Sequence, residues 1–214
     1  MWQREERKPS MKPKLKGRVV FFATNNVNKF NEARRILTDY DIAVGMLRVK
    51  TAEIQSDNLN EIAQTSAIDA FMRCHLPVIV EDAGLFVNAL NGFPGPYAAY
   101  AYKTIGNAGL LKLMENVEDR KVTFQSVIAY YDDHEAPECF EGEAAGKITN
   151  EERRGNGKSG FGFDPIFQPA GSAKTFAEMT MEEKNGFSHR ANAVRKFAEW
   201  YQKHHSQSAA LPQA

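Results

Sequence analysis

The stretch VVFFATNNVNKFNEARRIL, residues 19–37, decides the fold class of this chain. Its first five residues form a continuous apolar run, which is typical of a strand covered on both faces of a sheet. A polar loop, residues 24–29, follows the run, and Phe30, Ala33 and Leu37 then recur at helical spacing. Strand, loop and helix in this order predict an α/β fold.

Further apolar patterns along the chain extend this prediction. A helix is predicted over residues 59–71 and a buried strand over residues 78–80. Residues 122–131 and 138–148 are typical of two longer strands that form an antiparallel hairpin. Ser188 is a suitable N-cap for a last helix. We therefore expect a mixed central sheet flanked by helices, with the hairpin in a second smaller lobe and a long cleft between the lobes.

Composition and charge limit the class of protein. The 214 residues include 43% hydrophobic and 25% charged residues, as in an ordinary globular protein. The 27 basic and 27 acidic residues give a net charge of zero, so we expect neither a nucleic acid nor a membrane as a partner. Cys74 and Cys139 lack CxxC spacing, which favours reduced thiols and a cytoplasmic protein over a zinc site or a disulfide framework.

Chain organisation is predicted from the two ends. Residues 1–16 are charged and lack the apolar core of a signal peptide, so we expect a disordered basic tail there. Residues 206–214 are expected to form a loose tail. Residues 17–205 then form a single α/β domain of two lobes.

The polar loop of residues 24–29 is a candidate phosphate site. A loop between a buried strand and a helix presents backbone N–H groups and the positive end of the helix dipole to an anion. The side chains of Thr24 and Asn25 can bind phosphate oxygens, and Lys29 adds a positive charge. The loop lacks the glycines and the GK[ST] ending of a Walker A motif. The alternative is an ordinary helix cap, for which Asn is favoured.

Two acids, Glu81 and Asp82, follow directly on the predicted strand of residues 78–80. Ligands of open α/β sheets bind at the carboxyl ends of strands. Strand alternation directs the two carboxylates to opposite faces, so one of them can face a cleft. Carboxylates are ligands for Mg²⁺ and can deprotonate a water. Glu53 is a second candidate ligand only if the fold brings it beside Asp82, and the alternative for the acids is a solvated turn.

A glycine- and aromatic-rich segment, residues 160–167, is a candidate base-binding loop. Glycine permits close approach of the backbone to a ligand, and an aromatic ring can stack on a base. Lys184, His189 and Arg190 gather near the start of the last predicted helix, where donors suit a phosphate or a purine carbonyl oxygen. The alternatives are a structural bend with core phenylalanines and a solvated basic face.

Taken together, these segments resemble the inosine triphosphate pyrophosphatase family, whose members remove non-standard purine nucleotides. The resemblance is carried, in family order, by ATNNVNK at residues 23–29 with Glu32, EDAGL at 81–85, NGFPGPY at 91–97, GFGFDPIF at 160–167, TFAEM at 175–179, EKN at 183–185 and SHR at 188–190. It covers the chain from about residue 19 to residue 197.

The resemblance implies a two-lobed α/β fold around a long cleft, a homodimer and a requirement for Mg²⁺. It implies hydrolysis of ITP, dITP and XTP between the α- and β-phosphates, which gives a monophosphate and pyrophosphate. Asp82 matches the proton acceptor and, with Glu53, the metal ligands. The substrate-binding residues that it implies are Thr24, Asn25, Asn26, Val27, Asn28, Lys29, Ala83, Phe161, Gly162, Phe163, Asp164, Lys184, His189 and Arg190.

The chain departs from the family pattern in ways that bear on substrate preference. Ala83 stands where many relatives have Ser or Thr, and Phe163 replaces a frequent Tyr. Two rival functions stay open. One is a related pyrophosphatase that prefers modified pyrimidine nucleotides, and the other is a nucleotide- or RNA-binding module that does not cleave. Neutral net charge disfavours RNA, and acids beside phosphates disfavour a binder without a metal.

Overall fold

The computed structural model describes residues 19–52, 54–155 and 160–205. The strands are β1 (Val19–Ala23), β2 (Ala43–Leu47), β3 (Val78–Val87), β4 (Pro94–Gly95), β5 (Lys121–Tyr131), β6 (Glu138–Ile148) and β7 (Phe167–Pro169). The α-helices are α1 (Val27–Thr38), α2 (Leu59–Cys74), α3 (Ala98–Thr104), α4 (Gly106–Leu113), α5 (Met181–Asn185) and α6 (His189–His205). The predicted tails lie outside the described residues, and the bounds of the single domain stay a prediction.

Within the described part of the chain, seven strands form one mixed sheet. The strand order is β2-β1-β3-β5-β6-β7, with β4 beside β3. Strands β2, β1 and β3 are parallel, whereas β3, β5, β6 and β7 pair antiparallel. The α/β fold with a mixed sheet and the β5–β6 hairpin are confirmed, and the two lobes share this one sheet.

Strand β3 differs from its prediction. The strand predicted to end at residue 80 continues through Glu81 and Asp82 to Val87. Parallel pairing with β1 stops at Ile79, but antiparallel pairing with β5 continues to Val87 and satisfies the backbone groups. The prediction of a strand end at the two acids was therefore wrong. The acids lie where the parallel part of the sheet ends and β3 passes into the second lobe.

Three apolar clusters cover the sheet. Ile79 and Ile128 pack with α1 and α6 on one face, and Val80 and Val127 pack with α2 on the other. The second lobe has its own cluster around Phe124, together with Leu85, Leu110, Phe167 and Phe176. Both faces of the parallel strands are thus buried, as their apolar runs predicted.

Capping residues mark the end of α2 and the start of α6. Helix α2 extends three residues beyond its predicted end, to a left-handed cap at His75 with φ of 53°. The Ser188 side chain accepts a hydrogen bond from the Ala191 N–H at 3.1 Å, which confirms it as the cap of α6. Within the described ranges, no helix is long and apolar enough to cross a membrane.

Close packing of α6 on the hairpin depends on one glycine. A Cβ atom at Gly142 on β6 would lie 2.1 Å from the carbonyl oxygen of His189 and 2.4 Å from the nitrogen of Ala193. Because Gly142 has no side chain, the backbone of α6 lies in close contact with the backbone of β6. This contact sets the position of the first turn of α6, which carries His189 and Arg190.

Candidate active site

The carboxyl ends of the parallel strands open into a cavity of about 300 Å³, here called the Asp82 cavity. It is lined by the end of β1, by residues that follow β1 and β2, by the first half of β3, by one face of α2 and by the start of α3. The lining residues are Ala23, Thr24, Asn25, Asn26, Lys29, Val49, Lys50, Thr51, Ile62, Ala63, Ser66, Val80, Glu81, Asp82 and Ala99. Its place at a strand-end crevice is that of ligand sites in open α/β sheets.

The loop between β1 and α1 is held by its own side chains. Asn26 caps α1, because its side-chain oxygen accepts hydrogen bonds from the N–H groups of Asn28 and Lys29 at 3.0 and 3.2 Å. The Thr24 hydroxyl accepts from the Asn26 N–H at 3.1 Å, and the Asn25 amide donates to the Val49 carbonyl at 3.3 Å. The helix-cap alternative therefore holds for Asn26. The capped loop still directs the N-terminus of a twelve-residue helix towards the cavity.

The two acids on β3 point to opposite faces of the sheet, as strand alternation predicted. Asp82 follows Val80 on the face of α2, and it is partly exposed. The side chain of Glu81 is fully buried on the face of α1 and α6. Its carboxylate accepts from the Ser126 hydroxyl at 2.7 Å and from Arg190 Nε at 3.0 Å, and lies 2.8 Å from Lys29 Nζ. Asp82 is thus the acid whose side chain lies on the α2 side, where α2 forms one wall of the cavity.

Beneath the cavity, six charged side chains form an alternating chain of ion pairs, here called the buried ion chain. It runs Asp164–Lys184 (2.7 Å), Lys184–Glu32 (2.8 Å), Glu32–Arg190 (2.5 Å), Arg190–Glu81 (3.0 Å) and Glu81–Lys29 (2.8 Å). Its three acids and three bases balance in charge. Every member except Lys29 has a side chain at most 8% exposed, and Lys29 is 21% exposed. Full pairing is what makes burial of these charges tolerable.

Neighbouring charges decide the protonation states in the buried ion chain. Burial alone would raise the pKa of Glu81, but Arg190 and Lys29 outweigh it and hold that pKa well below its usual value. The pKa of Glu32 is also lowered, against burial, by Arg190 and Lys184. Burial lowers the pKa of Lys184, but Asp164 and Glu32 raise it above its usual value. All three are therefore charged at neutral pH.

A group of aromatic rings lies next to the buried ion chain. The ring of Phe161 has Lys184 Nζ 4.9 Å from its centre and Arg190 Cζ at 5.5 Å, both within cation–π distance. His189 stacks on Phe124 with ring centres 4.5 Å apart. Burial and the charge of Arg190 lower the pKa of His189 well below its usual value, so the ring is neutral. Its buried Nδ1 has no hydrogen-bond partner among the described residues.

The fold brings most of the predicted site residues together, but not all. Thr24, Asn25, Asn26 and Lys29 share one cavity with Asp82, and Asp164, Lys184 and Arg190 join in the buried ion chain. Val27 and Asn28 are exposed and lie outside the lining of the cavity.

The remaining predicted residues lie near the second lobe or outside the description. Phe163 is buried in the core of that lobe, where its ring meets Tyr102 edge-on at 5.4 Å. Ala83 pairs across the strands with Ser126, and Gly162 has φ of 59° with open space around it. Glu53 lies outside the described residues, and within them no three His, Cys, Asp or Glu side chains form a metal-binding cluster.

The reasoning from sequence missed Ser126 and Lys50, and it named Glu32 only as part of the family motif, without a role in the site. Glu32 pairs with Lys184 and Arg190, which lie on other helices, so nothing in its local sequence indicated that role. Ser126 reaches Glu81 from the neighbouring strand, which only the strand register reveals. Lys50 lines the Asp82 cavity from the segment after β2, and nothing in its local sequence marked it.

Comparisons with known proteins identify relatives of this chain. Residues 20–200 match the model of the Ham1 family. The chain is 50% identical over 182 residues to the dITP/XTP pyrophosphatase of Methanopyrus kandleri, covering 85% of this chain and 95% of that one. It is 49% identical over 179 residues to the enzyme of the same name from Thermococcus kodakarensis, covering 84% of this chain and 95% of that one.

Two solved structures have a similar fold. The Staphylococcus aureus Ham1 protein superposes with a TM-score of 0.73 at 30% identity, covering 87% of this chain and 99% of the other. A HAM1 protein from Coxiella burnetii gives a TM-score of 0.74 at 29% identity, covering 86% of this chain and 98% of the other.

Proposed function

This chain belongs to the Ham1 family, and from that membership we propose that it hydrolyses non-standard purine nucleoside triphosphates to the monophosphate and pyrophosphate. The relatives named dITP/XTP pyrophosphatase match over nearly their whole length, and ITP, dITP and XTP are the expected substrates. The observation that carries the proposal is the Asp82 cavity, where a carboxylate, a lysine and a helix N-terminus meet at the carboxyl ends of the parallel strands.

Asp82 is proposed as the residue that orients and deprotonates the attacking water. Its side chain is partly exposed and lies on the face of the sheet that α2 covers. A general base needs such access to water, which the fully buried Glu81 lacks. Lys29 and the N-terminus of α1 stabilise the negative charge that develops as pyrophosphate leaves. Glu81 has a positioning role instead, because its carboxylate holds the side chains of Lys29 and Arg190 in place.

We also propose Mg²⁺ as the cofactor. Asp82 offers the hard oxygen donor that this ion takes, and sites for Mg²⁺ commonly use one or two carboxylates together with substrate phosphates. Glu53, the second ligand implied by the family resemblance, lies outside the described residues. When bound, the ion would neutralise phosphate charge and polarise the phosphorus–oxygen bond.

Base selection is proposed to occur beside Phe161. Its ring can stack on a purine, and the neutral His189 nearby has a buried Nδ1 without a partner among the described residues. A hydrogen-bond donor at such a position would satisfy the 6-keto oxygen of hypoxanthine or xanthine. The 6-amino group of adenine is itself a donor, so the two donors would be left unpaired, which is unfavourable. Arg190 Nε and Nη1 already donate to Glu81 and Glu32, so only its remaining N–H groups are available to the base.

The homodimer and the cytoplasmic location are proposals of the same kind. The segment around α3 exposes large apolar side chains, among them Tyr97, Tyr100 and Ile105, and a second copy of the chain could cover them. Cys74 and Cys139 are free thiols, which suits a reducing compartment.

A pyrophosphate-release assay with ITP, XTP, dITP and the standard triphosphates, with and without Mg²⁺, tests the function. We expect Mg²⁺-dependent release that favours ITP, XTP and dITP. Release from modified pyrimidine nucleotides instead would favour the rival pyrophosphatase, and binding without release would favour the non-cleaving module.

Asp82→Asn tests the mechanism. The variant should fold, because the amide has the size of the carboxylate, and turnover of ITP should fall by roughly two to four orders of magnitude. Asp57→Asn, an exposed acid before α2, is the control. Full activity of Asp82→Asn would contradict the assignment.

A further inference from the structure

We propose that Lys50 is a further substrate-binding residue, which contacts the part of the triphosphate that leaves as pyrophosphate. The inference rests on the proposed function and assigns a role to a residue outside the recognised motifs. It is carried by the charges that line the Asp82 cavity, by the way the backbone holds Lys50, and by the order of the strands.

Without Lys50, the acidic residues that line the Asp82 cavity outnumber the basic residues by one, and Lys50 makes the two numbers equal. Of the described residues that line the Asp82 cavity, two are basic, Lys29 and Lys50. The Lys29 ammonium lies 2.8 Å from the Glu81 carboxylate, so the charge of that pair is balanced. Asp82 adds a negative charge. Among the described acids, none forms an ion pair with Lys50, whose exposed ammonium is the balancing positive charge available to a polyphosphate.

The backbone holds Lys50 from both sides. On one side, the Thr24 N–H donates to the Leu47 carbonyl at 3.1 Å and the Asn25 amide donates to Val49 at 3.3 Å. These bonds join the segment after β2 to the loop of residues 24–29. On the other side, the Ala52 N–H donates to an Asp69 carboxylate oxygen on α2 at 2.7 Å. A lysine between two such anchors keeps its position beside the loop, so less ordering is needed when an anion binds.

The strand order indicates which phosphates Lys50 meets. His189 stacks on Phe124 of β5, so the base end of the site lies on the β5 side of the sheet. Asp82 lies on β3, the loop of residues 24–29 follows β1, and Lys50 follows β2 at the edge of the sheet. Neighbouring strands are about 4.8 Å apart, so Lys50 lies roughly two strand spacings beyond Asp82. The bond cut at Asp82 therefore separates the nucleoside monophosphate from the phosphates that extend towards Lys50.

Binding measurements on Lys50→Met and Lys50→Arg test this assignment. The probes are an ITP analogue with a methylene group in place of the oxygen between the α- and β-phosphates, and IMP. Lys203→Met, which removes an exposed lysine in the last turn of α6, is the control. Calorimetry in the presence of Mg²⁺ gives the Kd of each probe without turnover.

We expect Lys50→Met to weaken binding of the triphosphate analogue roughly 5- to 20-fold, as for the loss of one charge-assisted contact. The affinity for IMP should change less than twofold. Lys50→Arg should recover most of the affinity, and Lys203→Met should match the parent protein. Higher salt should narrow the difference between the parent and Lys50→Met, since screening weakens the contact. In turnover, KM for ITP should rise and kcat should stay nearly constant.

Two results would overturn the role of Lys50. One is an unchanged affinity of Lys50→Met for the analogue, and the other is an equal loss for the analogue and IMP, which would indicate a contact with the nucleoside monophosphate. Failure of the proposed function is a separate result, because it requires that the parent protein releases no pyrophosphate from any non-standard purine triphosphate.

Discussion

Glu32→Gln is the perturbation that most directly tests the buried ion chain. The Glu32 carboxylate pairs with Lys184 at 2.8 Å and with Arg190 at 2.5 Å, and its side chain is 8% exposed. The amide of glutamine fills the same space but carries no charge, so three cations remain with two carboxylates. Lys184 keeps Asp164 and Arg190 keeps Glu81, which limits the damage.

The magnitude follows from the cost of leaving a buried charge without its partner. Removing one member of a buried pair costs about 3–5 kcal/mol, and the retained partners place this variant near 3 kcal/mol. For a chain of this size that corresponds to a fall in Tm of about 6–12 °C. Glu152→Gln is the control, because Glu152 pairs with Arg154 at 3.0 Å but is 37% exposed. Its loss should stay below about 0.5 kcal/mol.

The pH dependence gives a second, independent readout. The pKa of Glu32 is lower in the folded protein than in the unfolded chain. Its contribution is therefore fully present above the unfolded pKa of about 4.3, and it is lost as pH falls through the lower folded pKa. The difference in unfolding free energy between parent and variant should be constant from about pH 5 to 8 and shrink below about pH 4.

Urea unfolding followed by circular dichroism, at a series of pH values, measures both effects. The m-value should be unchanged, so that the shift in midpoint reports stability alone. A loss below about 1 kcal/mol at pH 7 would refute the argument, because it would mean that the two cations do not depend on Glu32. A difference that grows on acidification would refute the assigned direction of the pKa shift.

Two further predictions concern the support of the site. Gly142→Ala places a Cβ 2.1 Å from the His189 carbonyl and must move α6 off the hairpin. Calorimetry should show a loss of about 1–3 kcal/mol or more, with a raised KM for ITP, and an unchanged Tm would contradict the close approach. Ser126→Ala removes the hydroxyl that donates to Glu81 at 2.7 Å and should cost about 1–2 kcal/mol. The pKa of Glu81 then rises, so acid unfolding should begin at a higher pH than in the parent protein, and a lower onset would contradict this hydrogen bond.

Much of the fold could be predicted because apolar periodicity is local. The run of residues 19–23, the helix of α1 and the two strands of the hairpin were each visible in a window of about ten residues. The error at residue 80 has a physical cause. Acidic residues are rare within strands, so Glu81 and Asp82 suggested a strand end. In the fold, β5 pairs with β3 through both residues, and cations from two helices neutralise Glu81.

Some features of the candidate site could likewise be predicted from the local sequence, and others could not. The helix cap in the loop of residues 24–29, which was the alternative to a phosphate site, and the opposite directions of the two acids followed from local rules, namely helix capping and strand alternation. The partners of Glu81 did not, because Arg190 and Ser126 are 109 and 45 residues away in sequence. No spacing rule connects residues on different elements, so neither the ion pair with Arg190 nor the hydrogen bond from Ser126 could be predicted.

The sequence by itself determined the fold class, the family and the residue types available for phosphate chemistry, because motifs and periodicities are properties of short segments. Only the tertiary structure decided that Asp82 lies on the α2 side while Glu81 is buried in ion pairs, and that Phe161 rather than Phe163 meets the cations. It also placed Lys50 in the cavity. Burial and the distances between charges depend on which distant segments pack together, and those quantities decide whether a carboxylate or a lysine can reach a substrate.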